Sequence, residues 1–200
     1  MVGRFPGIDP DEPPDEMSGY TVFDRLVEPI QYSLCELLEN ALTHARRGSH
    51  GSAFVWVAGQ YYRSSKIVRL GVTDNGCGFL ASLKGHPELR RKRHLDAILT
   101  ALKPRVSCNR DLGIHDDSVN QGVGLTTVMR IAKHTGGRAV ILSGNALHDT
   151  DGRSGSTPAG SIWQGVAVAL EFRRDQLART NFRELLPLVE GIPRIPLRFE

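Results

Sequence analysis

Residues 23–46, FDRLVEPIQYSLCELLENALTHAR, decide the fold of this chain, because they predict one long amphipathic helix. The apolar residues recur at intervals of three and four, as they do along one face of an α-helix. These residues are Leu26, Ile30, Leu34, Leu37, Leu38, Ala41 and Leu42. Pro29 lies inside the segment, and since proline removes a backbone donor and clashes with the preceding turn, we expect it to bend or divide the helix.

Polar residues on the same segment form a second pattern. Glu36, Asn40 and His44 follow one another at intervals of four, so they lie along a single stripe of the predicted helix. An asparagine oxygen can bind a hard cation such as Mg²⁺, and a carboxylate one turn away can accept a proton from a water or hydroxyl that attacks a phosphate. A solvated polar face has the same pattern, and the spacing alone leaves both interpretations open.

The elements that follow the helix predict the fold class. Two β-branched and aromatic runs, at 53–62 and 66–74, are typical of an antiparallel hairpin. Further along the chain we expect helices at 87–102, 122–133 and 175–188, and strands at 138–143 and 162–172. Residues 103–121 and 149–160 are predicted loops. This order predicts an α/β two-layer sandwich with a mixed, mostly antiparallel sheet and helices on one face.

Two glycine-containing turns have ligand-binding chemistry. Asp74-Asn75-Gly76-Cys77-Gly78 ends the hairpin. Glycines let a backbone approach a flat ligand, and a buried carboxylate can accept a hydrogen bond from an exocyclic amine such as that of adenine. Gly122-Val123-Gly124-Leu125-Thr126-Thr127 begins a helix, where unpaired backbone N–H groups and the helix dipole attract phosphate. Taken singly, each motif is also explained as an ordinary turn or helix start.

Composition excludes several classes of protein. The 200 residues are 40% hydrophobic and 24% charged, with 21 glycines and 11 prolines, which argues against a wholly disordered, collagen-like or disulfide-stapled chain. Three cysteines without a CxxC pair predict no zinc site and favour a reducing, cytoplasmic location. No apolar run reaches the ~18 to 20 residues of a membrane helix. The net charge of +3 is too small to predict nucleic-acid binding by itself.

Together, in this order and spacing, three motifs resemble the GHKL superfamily. Its members include the ATP-binding domains of gyrase B, sensor histidine kinases and MutL, with the anti-sigma-factor serine kinases beside them. The motifs are ELLENA at 36–41, DNGCGF at 74–79 and GVGL at 122–125, followed by IAKHTGG at 131–137. The resemblance covers about 23–172 and implies a Bergerat-type fold, with ATP held between the sheet's helices under a mobile lid.

The resemblance also implies roles for particular residues. Asn40 matches the Mg²⁺ ligand, and Glu36 matches the general base of hydrolytic members. Asp74 matches the residue that reads the adenine amino group, directly and through water. The implied nucleotide-binding residues are Asn40, Asp74, Gly76, Gly78, Gly122, Gly124, Leu125 and Thr126. Among them, Gly76 and Gly78 would shape the adenine wall, and Gly122 and Gly124 would form the hinge and phosphate cradle.

The same comparison divides the chain into parts. We expect a flexible acidic, proline-rich arm at 1–18, the ATP-binding domain at 19–174 with a lid at about 80–121, and a C-terminal helix and tail at 175–200. Many relatives carry a Gly-Thr pair in the last strand, whose hydroxyl supports the adenine-binding carboxylate. Here Gly165 is followed by Val166, and Thr73 is a candidate replacement. Without a histidine-bearing dimerisation helix or a transducer domain, we expect slow turnover and no autophosphorylation on histidine.

The expected function is therefore that of a stand-alone, Mg²⁺-dependent ATP-binding protein. It would act as a regulatory switch on a separate protein partner, either as a slow ATPase or as a serine/threonine kinase similar to the anti-sigma-factor kinases. Glu36 would activate the nucleophile in both, so the sequence does not separate them. The alternative is a non-catalytic nucleotide-sensing module or scaffold. The partner's identity and the oligomeric state are left open, with a homodimer as one possibility, and neither a membrane nor a nucleic-acid partner is expected.

Overall fold

The computed structural model describes residues 12–17, 19–48, 52–106 and 122–186. The helices of these ranges are α1 Val22–Gly48, α2 Gly78–Ser82, α3 His94–Ala101, α4 Gly124–His134, α5 Arg174–Leu177 and α6 Phe182–Leu185. The strands are β1 Val55–Tyr62, β2 Ile67–Asp74, β3 Ala139–Gly144, β4 Ala146–Asp149, β5 Ser154–Ser156 and β6 Trp163–Arg173.

The six strands form one open sheet in the order β1-β2-β6-β3-β4-β5. The predicted hairpin is confirmed, with Val55 opposite Asp74 and Tyr62 opposite Ile67. Each pair of neighbouring strands is antiparallel, so the expected mixture with parallel strands is not found among the described residues. Helices pack on this sheet, which confirms the predicted α/β two-layer sandwich.

The core lies between α1, α4 and the central strands β2, β6 and β3. Alternate residues of a strand point to opposite faces, so one set of strand residues faces the helices. This set includes Leu70, Val72, Val168, Leu170, Phe172, Ala139 and Ile141, and all of these residues are buried. Val128, Ile131 and Ala132 of α4 pack against them. A cleft opens between these two layers.

Helix α1 runs without a break through Pro29, so the expected division at this proline is wrong. Its start is a capping box, in which Asp24 Oδ2 accepts the Thr21 backbone N–H at 3.0 Å and Thr21 Oγ1 accepts that of Asp24 at 3.1 Å. Pro29 is fully buried, and the Ser33 hydroxyl donates to its carbonyl oxygen at 2.7 Å. The Ser33 hydroxyl bonds the Pro29 carbonyl oxygen and does not replace the N–H that proline lacks, so the helix continues through Pro29 with one backbone hydrogen bond fewer.

The buried stripe of α1 is narrower than the sequence pattern predicts. Leu37, Ala41 and Ala45 are buried at intervals of four. Leu42, predicted on the apolar face, is 52% exposed. One residue advances an α-helix by about 100°, so the side chain after Ala41 already points away from the sheet.

Several predicted boundaries are wrong. The helix expected at 87–102 begins only at His94, because 83–93 form turns around Pro87. The helix expected at 175–188 is replaced by the two short helices α5 and α6. The predicted loop at 149–160 contains the edge strand β5, which pairs with β4. Glycine and serine dominate β5, so neither periodicity nor β-propensity marks it as a strand.

Parts of the predicted arm, lid and tail lie outside the described residues, namely 1–11, 107–121 and 187–200. The described part of the predicted lid includes α3, whose Ala97 and Ile98 are completely buried. Among the helices of the described ranges, none combines the length and the apolar character needed to cross a membrane.

A substitution of Leu170 tests this arrangement of the core. It is fully buried at the centre of β6, between Leu70 and Ala139 on the neighbouring strands. Leu170→Ala should lower the free energy of unfolding by about 2–5 kcal/mol, through lost burial and the cavity that remains. Leu99→Ala, on the exposed side of α3, is the control and should change it by only about 0.5 kcal/mol. Equal losses in urea denaturation would contradict the layer assignment.

Candidate functional site

Four separate segments of the chain meet at a cleft between α1, the sheet and the start of α4. Its walls are formed by Leu37, Asn40, Ala41, His44, Val72, Asp74, Phe79, Leu125, Val166 and Val168. Asn40, Asp74 and Leu125 belong to the three motifs that the sequence singled out, and the fold brings them to this one place. The cleft is lined mainly by apolar side chains, with a few polar residues among them, which is typical of small-molecule sites.

The cleft is narrow in this structure. It encloses about 30 Å³, far less than the roughly 300–1,000 Å³ of typical ligand sites. A larger concavity of about 430 Å³ lies on the opposite face of the sheet, where Arg69, Glu171 and Arg138 form ion pairs. That concavity holds none of the predicted site residues. A ligand the size of a nucleotide would enter the cleft only if one of its walls moved.

Asp74 lies at the end of β2 and is buried. Its Oδ1 accepts the backbone N–H of Gly76 at 2.8 Å, and the backbone N–H of Val166 also donates to the carboxylate. Burial raises the pKa of Asp74, and these two hydrogen bonds partly oppose the rise. The backbone of Val166 thus supports the carboxylate at the position where the resemblance led us to look for a threonine hydroxyl.

Thr73 does not replace that hydroxyl, so this expectation is wrong. Its hydroxyl donates to the carbonyl oxygen of Val166 at 3.1 Å. Neighbouring residues of a strand point to opposite faces, so the Thr73 side chain lies on the face away from Asp74.

The backbone of the turn after Asp74 packs directly against the backbones of α1 and β6. A Cβ on Gly76 would come within 2.5 Å of the His44 carbonyl oxygen, and one on Gly165 would overlap the backbone of Asp74. Gly78 has a φ of +70°, and a Cβ there would lie 2.8 Å from the Gln164 carbonyl oxygen. Neither Gly76 nor Gly78 lines the cleft. They hold Asp74 in place by letting the turn contact α1 and β6 directly.

Ser143 is a supporting residue that the sequence analysis missed. Its buried hydroxyl donates to the carbonyl oxygen of Gly165 at 3.0 Å and accepts the backbone N–H of Phe79 at 3.1 Å. It therefore ties α2 to β6 beside the turn. The signal was a polar residue on the inward face of β3, in register with the buried Ala139 and Ile141.

Glu36 lies against the first turn of α4. A Cβ on Gly124 would overlap the Glu36 carboxylate in its present position, so the carboxylate lies directly against the Gly124 backbone. The predicted general base and the predicted phosphate cradle are therefore next to each other. The N-terminus of an α-helix presents unpaired backbone N–H groups and a positive dipole end, which makes this a favourable place for anions.

Tyr32, one turn before Glu36 on α1, makes a hydrogen bond with the Glu36 carboxylate and another with the Thr127 side chain on α4. Burial raises the pKa of Glu36; the Tyr32 hydrogen bond lowers it, and the nearby charge of Glu39 raises it. The Tyr32 ring packs on Phe182 of α6, with ring centres 5.4 Å apart. Tyr32 and Thr127 were not predicted, although the spacing of Tyr32 continues the stripe of Glu36 and Asn40.

Asn40 is oriented by its own helix. Its side-chain amide donates to the backbone carbonyl oxygen of Glu36 at 2.8 Å, so this hydrogen bond uses the amide nitrogen and not the side-chain oxygen. In the described ranges no three His, Cys, Asp or Glu side chains are grouped as a metal site. Mg²⁺ is commonly bound by one or two side-chain oxygens together with substrate phosphates and water. The position of Asn40 fits that mode of binding.

Gly122 and Thr126 lie outside the cleft walls. Gly122 has a φ of +82°, and a Cβ there would come within 2.7 Å of the Val106 backbone, so this position requires glycine. The Thr126 hydroxyl donates to the Leu102 carbonyl oxygen at 3.0 Å, which joins α4 to the residue after α3. Both residues fix how α4 begins, and Thr126 makes no side-chain contribution to the cleft.

Comparison with known proteins adds no relative: no family model matches the chain, and no curated protein is significantly similar to it.

The raised pKa of Glu36 predicts how the free energy of unfolding depends on pH. A carboxyl whose pKa is raised by folding favours the folded state below its ordinary pKa, and this contribution is lost as the pH rises through the raised value. Glu36→Gln removes the buried charge and keeps an oxygen that can accept the Tyr32 hydrogen bond. The variant should therefore be more stable than the wild type at pH 7, and the difference should shrink towards pH 4.

Urea denaturation at several pH values measures this difference. Glu12→Gln, which removes an exposed carboxylate, is the matched control and should follow the wild type throughout. If Glu36→Gln were less stable than the wild type at pH 7, the conclusion that the buried Glu36 charge destabilises the folded protein would be wrong.

Proposed function

We propose that this protein binds Mg²⁺ and ATP in the cleft and acts as a regulatory switch on a separate protein partner, as a slow ATPase or a serine/threonine kinase. The observation that supports this most directly is the convergence of three distant motifs. Asn40, Asp74 and Leu125 line one cleft, and Glu36 contacts the start of α4 beside it. These are the segments that resemble the GHKL superfamily.

Asp74 and the apolar walls suit an adenine ring. Val72, Phe79 and Val168 provide flat apolar surface, and the carboxylate lies among them. The backbone N–H groups of Gly76 and Val166 favour its ionised form, which accepts hydrogen bonds. Adenine presents an exocyclic amine where guanine presents a carbonyl oxygen. The site should therefore prefer ATP to GTP, because guanine would place an acceptor opposite the carboxylate.

The other end of the site suits the phosphates. The first turn of α4 would hold them through its backbone N–H groups, and Asn40 would hold Mg²⁺ through its side-chain oxygen. When bound, the ion would neutralise part of the phosphate charge. Positioning of this kind accounts for most of the catalysis in phosphoryl transfer.

Glu36 would act as the general base. The proton of an attacking hydroxyl would move to its carboxylate as the new phosphorus–oxygen bond forms and the bond to the β-phosphate oxygen breaks. A base works best when its pKa is near the working pH, and burial moves the pKa of Glu36 in that direction. Water as the nucleophile gives an ATPase, and a serine or threonine of a partner gives a kinase.

A calorimetric titration with ATP, with and without Mg²⁺, tests the proposal. The wild type should bind ATP more tightly with Mg²⁺ and bind GTP more weakly. Asn40→Ala should lose the Mg²⁺ dependence. Asp74→Asn should weaken ATP binding by about tenfold to a hundredfold, since it removes a charged hydrogen-bond acceptor. Asp151→Asn, which removes an exposed carboxylate from the turn before β5, is the control and should bind like the wild type.

Each outcome of this titration has a clear meaning. Wild-type affinity in Asp74→Asn would refute the adenine assignment, and no ATP binding by the wild type would refute the proposal. A non-catalytic sensor is separated from an enzyme by Glu36→Gln, which in an enzyme should keep ATP binding and lose release or transfer of the γ-phosphate. In a sensor, binding and regulation of the partner would both survive that substitution.

Tyr32 should set the pH dependence of turnover. Its hydrogen bond lowers the pKa of Glu36, so Tyr32→Phe should raise that pKa and move the acid limb of the rate profile to higher pH. The phenyl ring would still pack on Phe182, and the affinity for ATP should not change. Tyr20→Phe, which alters a phenol beside Glu28 instead, is the control. An unshifted acid limb in Tyr32→Phe would show that this phenol does not tune the base.

A further inference from the structure

The two edges of the sheet differ in a way that bears on assembly. At one edge β5 has only three residues, Ser154–Ser156, all of them exposed serine or glycine. At the other edge β1 has eight residues and is paired along its whole length with β2. An edge strand presents a row of unpaired backbone N–H and C=O groups, and proteins normally protect such an edge. The short, polar β5 is protected in this way.

Strand β1 itself carries none of the protective features that the sequence of an edge strand can supply. Its sequence, VWVAGQYY, contains no charged residue and no proline, and its register with β2 runs without a bulge from Val55 to Tyr62. The five residues from Trp56 to Gln60 are all exposed. Short length, charges, proline and bulges are the devices that prevent an edge strand from pairing with another chain. None of them is present in β1, and β2 is its one partner among the described strands.

Exposed apolar side chains accompany this edge. Trp56 and Val57 are each 49% exposed, and Phe54, which precedes the strand, is 52% exposed. The rings of Phe54 and Trp56 stack with centres 5.7 Å apart, and Trp56 meets Trp163 edge to face at 6.4 Å. Aromatic residues are enriched in protein interfaces and supply much of their binding energy.

We propose that β1 pairs antiparallel with β1 of a second copy of this chain, so that two six-stranded sheets join edge to edge about a twofold axis. A twofold interface requires a surface that is complementary to itself. Strand β1 meets this condition because it contains no charged residue, so pairing with a second copy brings no like charges together. The inference is independent of the proposed function.

The side chains favour one register. In an antiparallel pair, directly opposed residues point to the same face of the sheet, so helix-facing residues must lie opposite helix-facing residues. The twofold axis must therefore pass through one residue of β1, and each possible register corresponds to a different axis residue. An axis at Gly59 places Trp56 opposite Tyr62 of the second copy and Val57 opposite Tyr61 of the second copy. Aromatic pairs and pairs of an aromatic with a β-branched residue are the favourable cross-strand contacts. An axis at Ala58 would place Trp56 opposite glutamine and Val57 opposite glycine.

This contact closes on itself. Each copy contributes its single long edge, and the opposite edge, β5, is too short and polar to recruit a third copy. The assembly therefore ends at a dimer instead of growing into a filament. The cleft lies on the helix side of the sheet at Val72 and Val168 and contains no residue of β1.

Light scattering coupled to gel filtration of the full chain tests the pairing. The wild type should have twice the monomer mass of 22.0 kDa over a wide range of concentrations. Val57→Lys should be monomeric, since pairing would bury an added charge. Ile162→Lys changes a side chain that is 70% exposed and outside the strand, and as the control it should stay dimeric. Circular dichroism verifies that both variants are folded.

Cysteine cross-linking tests the register. Directly opposed residues of antiparallel strands have Cα atoms about 4.5–5.5 Å apart, within the range of a disulfide. Gly59→Cys should therefore form a disulfide-linked dimer under mild oxidation, faster than Ala58→Cys. A Cβ on Gly59 meets nothing closer than the Arg69 carbonyl oxygen at 3.9 Å, so the strand accommodates it. The wild type controls for the native cysteines.

The outcomes separate the possibilities. A wild-type monomer at all concentrations, or a dimer that survives Val57→Lys, would overturn the proposal. Larger polymers would overturn the closure of the contact. Faster cross-linking through Ala58→Cys would overturn the Gly59 register. Since the proposed nucleotide site is tested by titration with ATP, failure of one proposal leaves the other standing.

Discussion

The close contact of the 74–79 turn with the backbones of α1 and β6 is the constraint on which the rest of this structure depends. Gly76 contacts His44 and Ala45 of α1, and Gly78 and Gly165 let β6 approach from the other side. Any larger side chain at these positions would push the layers apart. The contact holds α1 against β2 and places Asp74 between two backbone N–H donors. It therefore links the packing of the sandwich to the chemistry of the cleft.

Two carboxylates are held in this framework at some cost to stability. Burial raises the pKa of both Glu36 and Asp74, so the ionised forms are less favourable in the folded protein than in water. Hydrogen bonds from Tyr32 to Glu36, and from Gly76 and Val166 to Asp74, offset part of this penalty. Buried charges that only partly recover their hydration are typical of functional sites, where stability is lower than the same fold could reach.

The other face of the sheet is not covered by any described helix. Its centre is stabilised by ion pairs, in which Glu171 joins Arg69 at 3.2 Å and Arg138 at 2.6 Å, and Arg138 also meets Asp149 at 3.5 Å. These groups make the face compatible with water. They do not extend to the β1 edge, where Phe54 and Trp56 are exposed. The difference between a charged centre and an apolar edge indicates where a second chain would be accommodated.

By itself, the sequence determined the helix α1, the β1–β2 hairpin, the strand β6 and the two-layer architecture, because periodicity and turn residues are local properties. It also marked Glu36, Asn40 and Asp74 through their motifs. Only the tertiary structure decided that Val166 supports Asp74 through its backbone, that Thr127 of α4 hydrogen-bonds to Tyr32 of α1, and that Ser143 joins α2 to β6. These are contacts between residues far apart in the chain or on different elements. They depend on the distances between packed layers, which no local pattern encodes.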